Sequence, residues 1–242
     1  MGNPGPPAVT RDVPSTLHLV RAQIADAIVA HAEGSIHAEL IRLLARPGYA
    51  LHPQSRCRAG VFALEVHRAA RRSFDRTTLL VAAAVELQRQ SGFLAAGLAA
   101  ADPSLAMALL VAATATAADA SGDAPDPAAT LRHFRAASTL EDTLRLTRLE
   151  SGALGRFAAG FAVRAAGAEP AGAALFERLG FNLFTFAHLT RENPDARDGS
   201  SFVAILALAC LGRAHADLHL LAARGYAVEA LGRVLHRVES EG

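Results

Sequence analysis

From Pro14 onward, apolar residues return at three- and four-residue intervals along nearly the whole chain, and no stretch of useful length alternates apolar with polar residues. Such spacing lays one apolar stripe along each of a series of helices, whereas a half-buried strand needs a period of two. The pattern therefore predicts an all-α protein. Leu17, Val20, Ile24, Ala27 and His31 share one stripe. Ile36, Leu40, Leu43 and Leu44 share a second, which Pro47 and Gly48 terminate. Asp102-Pro103 and Asp126-Pro127 each put a capping carboxylate before a proline at the first helical position.

The same reasoning predicts helices over Ala59 to Ser73, from a Thr77 cap to about Ala100, and from Leu131 to Gly167 with a break near Ser138. Further helices are expected from Pro170 to about Thr190, from Phe202 to Arg224 with Gly225 as the C-terminal cap, and over Val228 to Val238. Tyr49 to Ser55, Ser121 to Pro125 and Asn193 to Ser200 are polar or glycine-containing and read as loops.

With 242 residues, 51% of them hydrophobic and 19% charged, such a chain can bury a sizeable core. The expected architecture is a large single-domain helical bundle over residues 15–242, preceded by a flexible tail over residues 1–14. A net charge of +1 gives no bulk attraction to nucleic acid, so no nucleic-acid partner is expected. All 24 basic residues are arginine, which excludes a Schiff-base lysine and a phosphate-loop lysine. Cys57 and Cys210 are far apart and form no CxxC pair. Zinc and redox motifs are therefore not expected, and the cytoplasm is the expected compartment. The opening residues lack the charged-then-apolar pattern of a signal peptide. The longest uncharged run, Pro103 to Ala118, is shorter than the ~20 apolar residues a bilayer crossing needs, so no transmembrane segment is expected.

Four segments, in order, carry a likeness to a known family. Ser55-Arg56-Cys57-Arg58-Ala59 follows a Gly-Gly-Lys-Arg-x-Arg-Pro entry in its two arginines, though not in its lysine or proline. Ala82 to Leu87 reads Ala-Ala-Ala-Val-Glu-Leu. Glu150-Ser151-Gly152-Ala153-Leu154 follows Lys-Thr-Gly-Ala-Leu with an acid in place of the lysine. Gly180 to Leu189 follows the region around Gly-x-x-x-Phe-Gln-x-x-Asp-Asp. Together, over roughly Ile41 to Gly212, the chain resembles the trans-polyprenyl diphosphate synthases.

That resemblance implies a helical bundle around a prenyl-chain cavity, lined here at Leu94, Ala96, Phe184 and His188. It implies diphosphate-binding roles for Arg56 and Arg58; guanidinium groups pair bidentately with phosphate oxygens, although a plain surface or helix-end role fits them too. In the family, two aspartate-rich motifs hold magnesium ions that neutralise the leaving diphosphate. Here the first motif falls on Ala96-Gly97-Leu98-Ala99-Ala100 and the second on Ala187-His188, so both are blank. No relocated set replaces them: Asp119 and Asp123 flank a loop, Asp195 and Asp198 lie in another, Glu141-Asp142 lacks a third carboxylate, and Asp102 reads as a cap. No metal site and no cofactor are therefore expected, the family's Mg2+ site being lost.

The resemblance then implies a prenyl synthase-like chain without independent metal-dependent activity, serving as a non-catalytic or regulatory subunit. A prenyl diphosphate or another apolar isoprenoid is the implied ligand. A homodimer, or a heteromer with a catalytic prenyl synthase, is the implied assembly. One alternative is a noncanonical terpenoid synthase or prenyltransferase that protonates its substrate, with Glu86 and Glu150 as the candidate acids because burial would raise their pKa. Another is a helical scaffold or binding module.

The remaining constellations read as structural. His215, Asp217 and His219 lack the zincin spacing. Arg68, Arg71 and Arg72 crowd a helix end that favours cations. Phe176, Phe181, Phe184 and Phe186 fit core packing or a cavity wall. No nucleophile-elbow spacing supports a hydrolase triad.

Overall fold

The computed structural model describes residues 13–32, 34–97, 103–148, 151–193 and 201–241, and among them every regular element is a helix. In chain order these are α1 Val13–His31, α2 Ile36–Leu44, α3 Arg58–Arg71, α4 Arg76–Ala96, α5 Pro103–Ser121 and α6 Pro127–Arg135. There follow α7 Leu140–Arg148, α8 Ser151–Ala166, α9 Pro170–Glu192, α10 Phe202–Ala223 and α11 Glu229–Glu241.

The centre of the bundle is α4. It packs on α5 along one side and on α3, α7, α1 and α8 along the others. A helix enclosed this way needs apolar residues all round, and Leu80 to Leu87 is buried throughout. Its start is set by Asp75, not Thr77. The Asp75 carboxylate accepts the Thr78 N–H at 3.0 Å, and the Thr78 hydroxyl accepts the Asp75 N–H at 3.3 Å, a reciprocal capping box. Asp126 and Pro127 open α6 as their residue types predict, the carboxylate accepting the Ala129 N–H at 2.8 Å.

The second half of the bundle is the pair α8 and α9, which meet backbone to backbone. A Cβ added to Gly155 would overlap the Gly180 carbonyl oxygen, and one added to Gly180 would overlap the Gly155 carbonyl oxygen. Above this pair α10 packs on α9, and α11 leans on α3, α9 and α10. Phe134, Phe157 and Phe161 stack edge-on or tilted at 4.8–5.4 Å where α6 meets α8.

Three boundaries differ from the sequence expectation. The break near Ser138 falls between α6 and α7 as expected, but α6 starts four residues earlier than Leu131, at Pro127; residues 149–150, between α7 and α8, lie outside the described residues. Val13 and Pro14 belong to α1 rather than to a tail; proline is tolerated in the first turn, where its missing N–H has no helical partner. The rest of that tail, residues 1–12, lies outside the described residues. The last helix runs on to Glu241.

A buried histidine makes the stability of this core pH-dependent. His67 on α3 has no exposed surface, its Nδ1 sits 3.1 Å from the Thr78 hydroxyl, and its Nε2 has no partner. Burial pushes its pKa down to about 4. The unfolded chain takes up the proton near the ordinary 6.5, so the contribution of neutral His67 is complete above that pH and is lost as the pH falls from there to about 4. The expected loss is on the order of 3 kcal/mol by pH 4. Urea denaturation at neutral and mildly acid pH measures it, and His67→Leu should flatten the slope.

Candidate functional site

At one end of the bundle the loop after α2, the start of α3, the middle of α4, the second half of α9 and the end of α11 surround a cavity of about 500 Å3. That volume lies within the range of small-molecule sites. One wall is apolar, built from Val61, Phe62, Leu183, Phe184, Val234 and Val238. Phe62 and Phe184 contact each other in a tilted pair at 5.3 Å. The rest is polar and rich in cations: Arg56, Arg58, Arg89, Arg191 and Arg237 all line it, and among the described residues no aspartate or glutamate does.

Local backbone geometry sets the first two arginines. Cys57, the residue before α3, is held in the left-handed region at φ 41°, ψ 48°. A residue with a Cβ reaches that region only at a cost, and such strain concentrates at functional sites. The kink turns the loop into the helix with Arg56 on one side and Arg58 on the other, both at the cavity. It also brings the N-terminal turn of α3 to the same wall. The Cys57 thiol itself is inert: burial and then the charge of Glu86 push it up to about 12, and it donates to the Ala50 carbonyl at 3.4 Å.

Arg89 is held from behind. Its Nε and Nη2 donate to Glu86 Oε1 at 2.8 and 2.6 Å. Glu86 is fully buried and also accepts from the Gln90 amide and the Gly60 N–H, each at 3.1 Å. Burial pushes its carboxyl up, but the Arg89 charge and these hydrogen bonds outweigh it and hold the group below the usual carboxylate range. The expectation of a raised Glu86 pKa is thus reversed. Glu86 is an ionised brace and not a proton donor, because its neighbours on α3 and α4 were not visible in the helical pattern. Gly60 permits the arrangement: a Cβ there would lie 2.8 Å from the Ala82 carbonyl oxygen and 3.1 Å from the Glu86 Cβ. Glu65 is the carboxyl that burial, opposed by Arg68 and Arg233, pushes up, and it does not line the cavity.

The structure brings Arg56, Arg58, Phe184 and His188 around one cavity. His188 presents a buried Nδ1 without a partner there. Leu94 and Ala96 are not in its lining. Leu94 is buried in the core and Ala96 ends α4, two turns and about 10 Å beyond Arg89 along the helix. Glu150, Asp102, Asp195 and Asp198 lie outside the described residues. Arg89, Arg191 and Arg237 are cavity residues that the sequence reading did not single out. For Arg89 a signal existed: it stands three residues past Glu86 on a helix whose only other charge is Arg76 at its start, the spacing of an intrahelical ion pair. For Arg191 and Arg237 there was none, since both occur in ordinary polar helix ends.

The other constellations are structural. Arg68 and Arg71 pair with Glu65 and Asp75 at 3.8 and 3.7 Å, and Arg72 donates to the Gly225 carbonyl. His215 bonds Glu239 at 2.7 Å, and Asp217 takes Arg178 at 2.5 Å. Phe176 and Phe186 are core residues, while Phe181 is exposed under Arg156 at 4.9 Å.

No family model matches the chain, and no curated protein matches it. Among solved structures, a geranyltranstransferase from Methanosarcina mazei superposes on 95% of this chain and 97% of its own, with a TM-score of 0.65 and 13% identity. At that identity the likeness shows the fold: this is an all-α bundle of the isoprenoid synthase type.

The magnesium ions associated with that fold need clustered carboxylate oxygens. Among the described residues no group of three or more histidine, cysteine, aspartate or glutamate side chains is arranged to hold a metal, and the cavity's donors are guanidinium groups, which repel one. The described residues at this cavity do not fit magnesium.

Proposed function

We propose that this chain binds a prenyl diphosphate in the arginine cavity without a metal ion, and acts as a non-catalytic subunit or modulator of prenyl chain metabolism. The observation that carries the reading is the makeup of the cavity lining: five arginines and an apolar wall, with no aspartate or glutamate among the described lining residues, although Arg89 is paired with Glu86 and Arg191 with Glu192 just behind it. The arginines supply the countercharge that metal ions would otherwise supply to a diphosphate, through charge-assisted and bidentate hydrogen bonds. The wall of Phe62, Phe184, Leu183 and Val238 suits an isoprenoid chain.

Binding of this kind differs from catalysis. Arginines that grip a diphosphate in the ground state do not by themselves lower the barrier to its departure. Cation formation by protonation has no support at Glu86, which is ionised and fully hydrogen-bonded. A subunit that retains substrate or product without ionising it can alter the chain length a partner synthase releases.

The test is an assay of prenyl transfer with magnesium present, using this chain alone and then added to a catalytic prenyl synthase from the same source. The expected result is no turnover alone and a changed product length or rate with the partner. Turnover by the chain alone would sink the proposal.

A further inference from the structure

The first two arginines of the cavity stand at the end of a segment with little core of its own. Residues 45–57, between α2 and α3, form no regular element, yet His52, Gln54, Ser55, Arg56 and Cys57 all line the cavity. Connections of this length inside a compact domain are uncommon and are usually functional. Within this one, Ala50 and Cys57 alone are buried. Its shape therefore rests mainly on specific contacts. The Leu51 N–H donates to the Leu44 carbonyl and the Ser55 N–H to the His52 carbonyl, each at 2.9 Å, and Tyr49 lies edge-on to Phe93 of α4 at 5.4 Å. The segment then enters α3 through Cys57 in the left-handed region, a conformation that persists only where the surroundings fix it.

A side chain from α1 reaches this segment. Arg21 follows the buried Val20 on α1, is itself partly buried, and does not line the cavity. Its Nη2 donates to the Pro53 carbonyl at 2.8 Å and to the Ser55 carbonyl. We propose that Arg21 is a positioning residue: from outside the cavity it clamps the backbone of residues 53–55, and so sets the turn that presents Arg56 and Arg58 to the ligand. The consequence for binding rests on the reading of the cavity as a diphosphate site, whereas the clamp itself holds whatever anion binds there.

Two features of the geometry carry this role. Both acceptors are main-chain oxygens, so the bonds fix backbone and not another mobile side chain. Their convergence on one nitrogen requires the chain to fold back between Pro53 and Ser55, and the Ser55 N–H to the His52 carbonyl closes that turn. The Ser55 carbonyl also shares a rigid peptide plane with the Arg56 N–H. A bond to that oxygen therefore orients the unit from which the Arg56 side chain departs, one residue before the left-handed Cys57 and two before Arg58. Cations set in place beforehand lose less freedom when an anion arrives, which raises affinity without any contact between Arg21 and the ligand.

Two variants of the full chain separate positioning from bulk stability. Arg21→Met keeps an apolar stem and removes the donors, while Arg21→Lys keeps a cation that can still reach a carbonyl. Amide hydrogen exchange without ligand reads the turn directly, over residues 54–61, where the Ser55, Gly60 and Val61 N–H groups are bonded. Arg21→Met should speed exchange there about tenfold or more while peptides from α8 and α9 keep the parent's rates, and Arg21→Lys should fall between. Exchange that is unchanged over residues 54–61, or that rises equally in α8 and α9, would overturn the clamp. Calorimetric titration with farnesyl diphosphate reads the consequence. Arg21→Met should weaken binding about tenfold in the parent and again in Arg237→Ala, whose cation comes from α11, but by less than about twofold in a chain already carrying Arg56→Ala and Arg58→Ala. Equal losses in all three backgrounds would mean that Arg21 does not act through Arg56 and Arg58, and would overturn the proposal. A parent that binds no farnesyl diphosphate would remove the ligand reading alone, and the exchange rates would then decide the clamp.

Discussion

Arg89→Leu is expected to cost the fold about 3–5 kcal/mol, the largest single-residue effect in this protein. The substitution keeps roughly the volume but leaves Glu86 fully buried without its cation, so the carboxyl must stay charged there or take up a proton, and either costs stability. A carboxylate in that position cannot reach water, and the Gln90 amide and the Gly60 N–H do not neutralise it. Glu86 also ties α4 to the first turn of α3, so the loss propagates to the wall that carries Arg56 and Arg58. Double replacement, Glu86→Leu with Arg89→Leu, removes both charges and should recover much of the stability. It should not recover ligand binding, because the cavity then lacks one of its cations. Urea midpoints for the single and double variants read the first effect, and a ligand titration reads the second.

The second large effect is expected at the crossing of α8 and α9. Gly155→Val or Gly180→Val places a branched side chain against a carbonyl oxygen of the facing helix. Backbone cannot rotate out of the way as a side-chain tip can, so the two helices must separate. The cost should be about 3 kcal/mol or more, above the usual overpacking range. Separation would also open the Leu183–Phe184 wall, so these variants should lose ligand binding along with stability. Gly212→Ala is the matched control. It lies on an exposed helix face with open space, where alanine should be neutral or stabilising by up to ~1 kcal/mol in the isolated helix. Thermal unfolding of the three variants side by side separates close packing from helix propensity.

These two sites mark what could and could not be read in the chain. The helices were legible because periodicity and capping are local: Asp126-Pro127 and Pro170 open helices where their residue types say they should. Asp75 was missed because its partner, Thr78, is a capping residue only when the side chains are seen to reach each other. The cavity was half legible. Arg56, Arg58, Phe184 and His188 could be placed through a likeness in four short segments. Leu94 and Ala96 could not, because a position along a helix does not say how far the cavity extends beside it. Arg191 and Arg237 come from α9 and α11, remote in sequence, and only the packing of α11 against α3 and α9 brings them to the site. Glu86 shows the limit most clearly. Its burial follows from the pattern, but the sign of its pKa shift depends on Arg89, Gln90 and Gly60 meeting it at once.

The central claim is that arginines do here what a metal site does elsewhere in this fold. Calorimetric titration of the intact chain with farnesyl diphosphate, once in magnesium and once in EDTA, tests it most directly. The predicted result is saturable binding of equal affinity in both buffers, weakened ten- to hundredfold by Arg58→Ala, as expected for the loss of a charged hydrogen-bonding group. Binding that appears only with magnesium, or that is indifferent to Arg58, would contradict it.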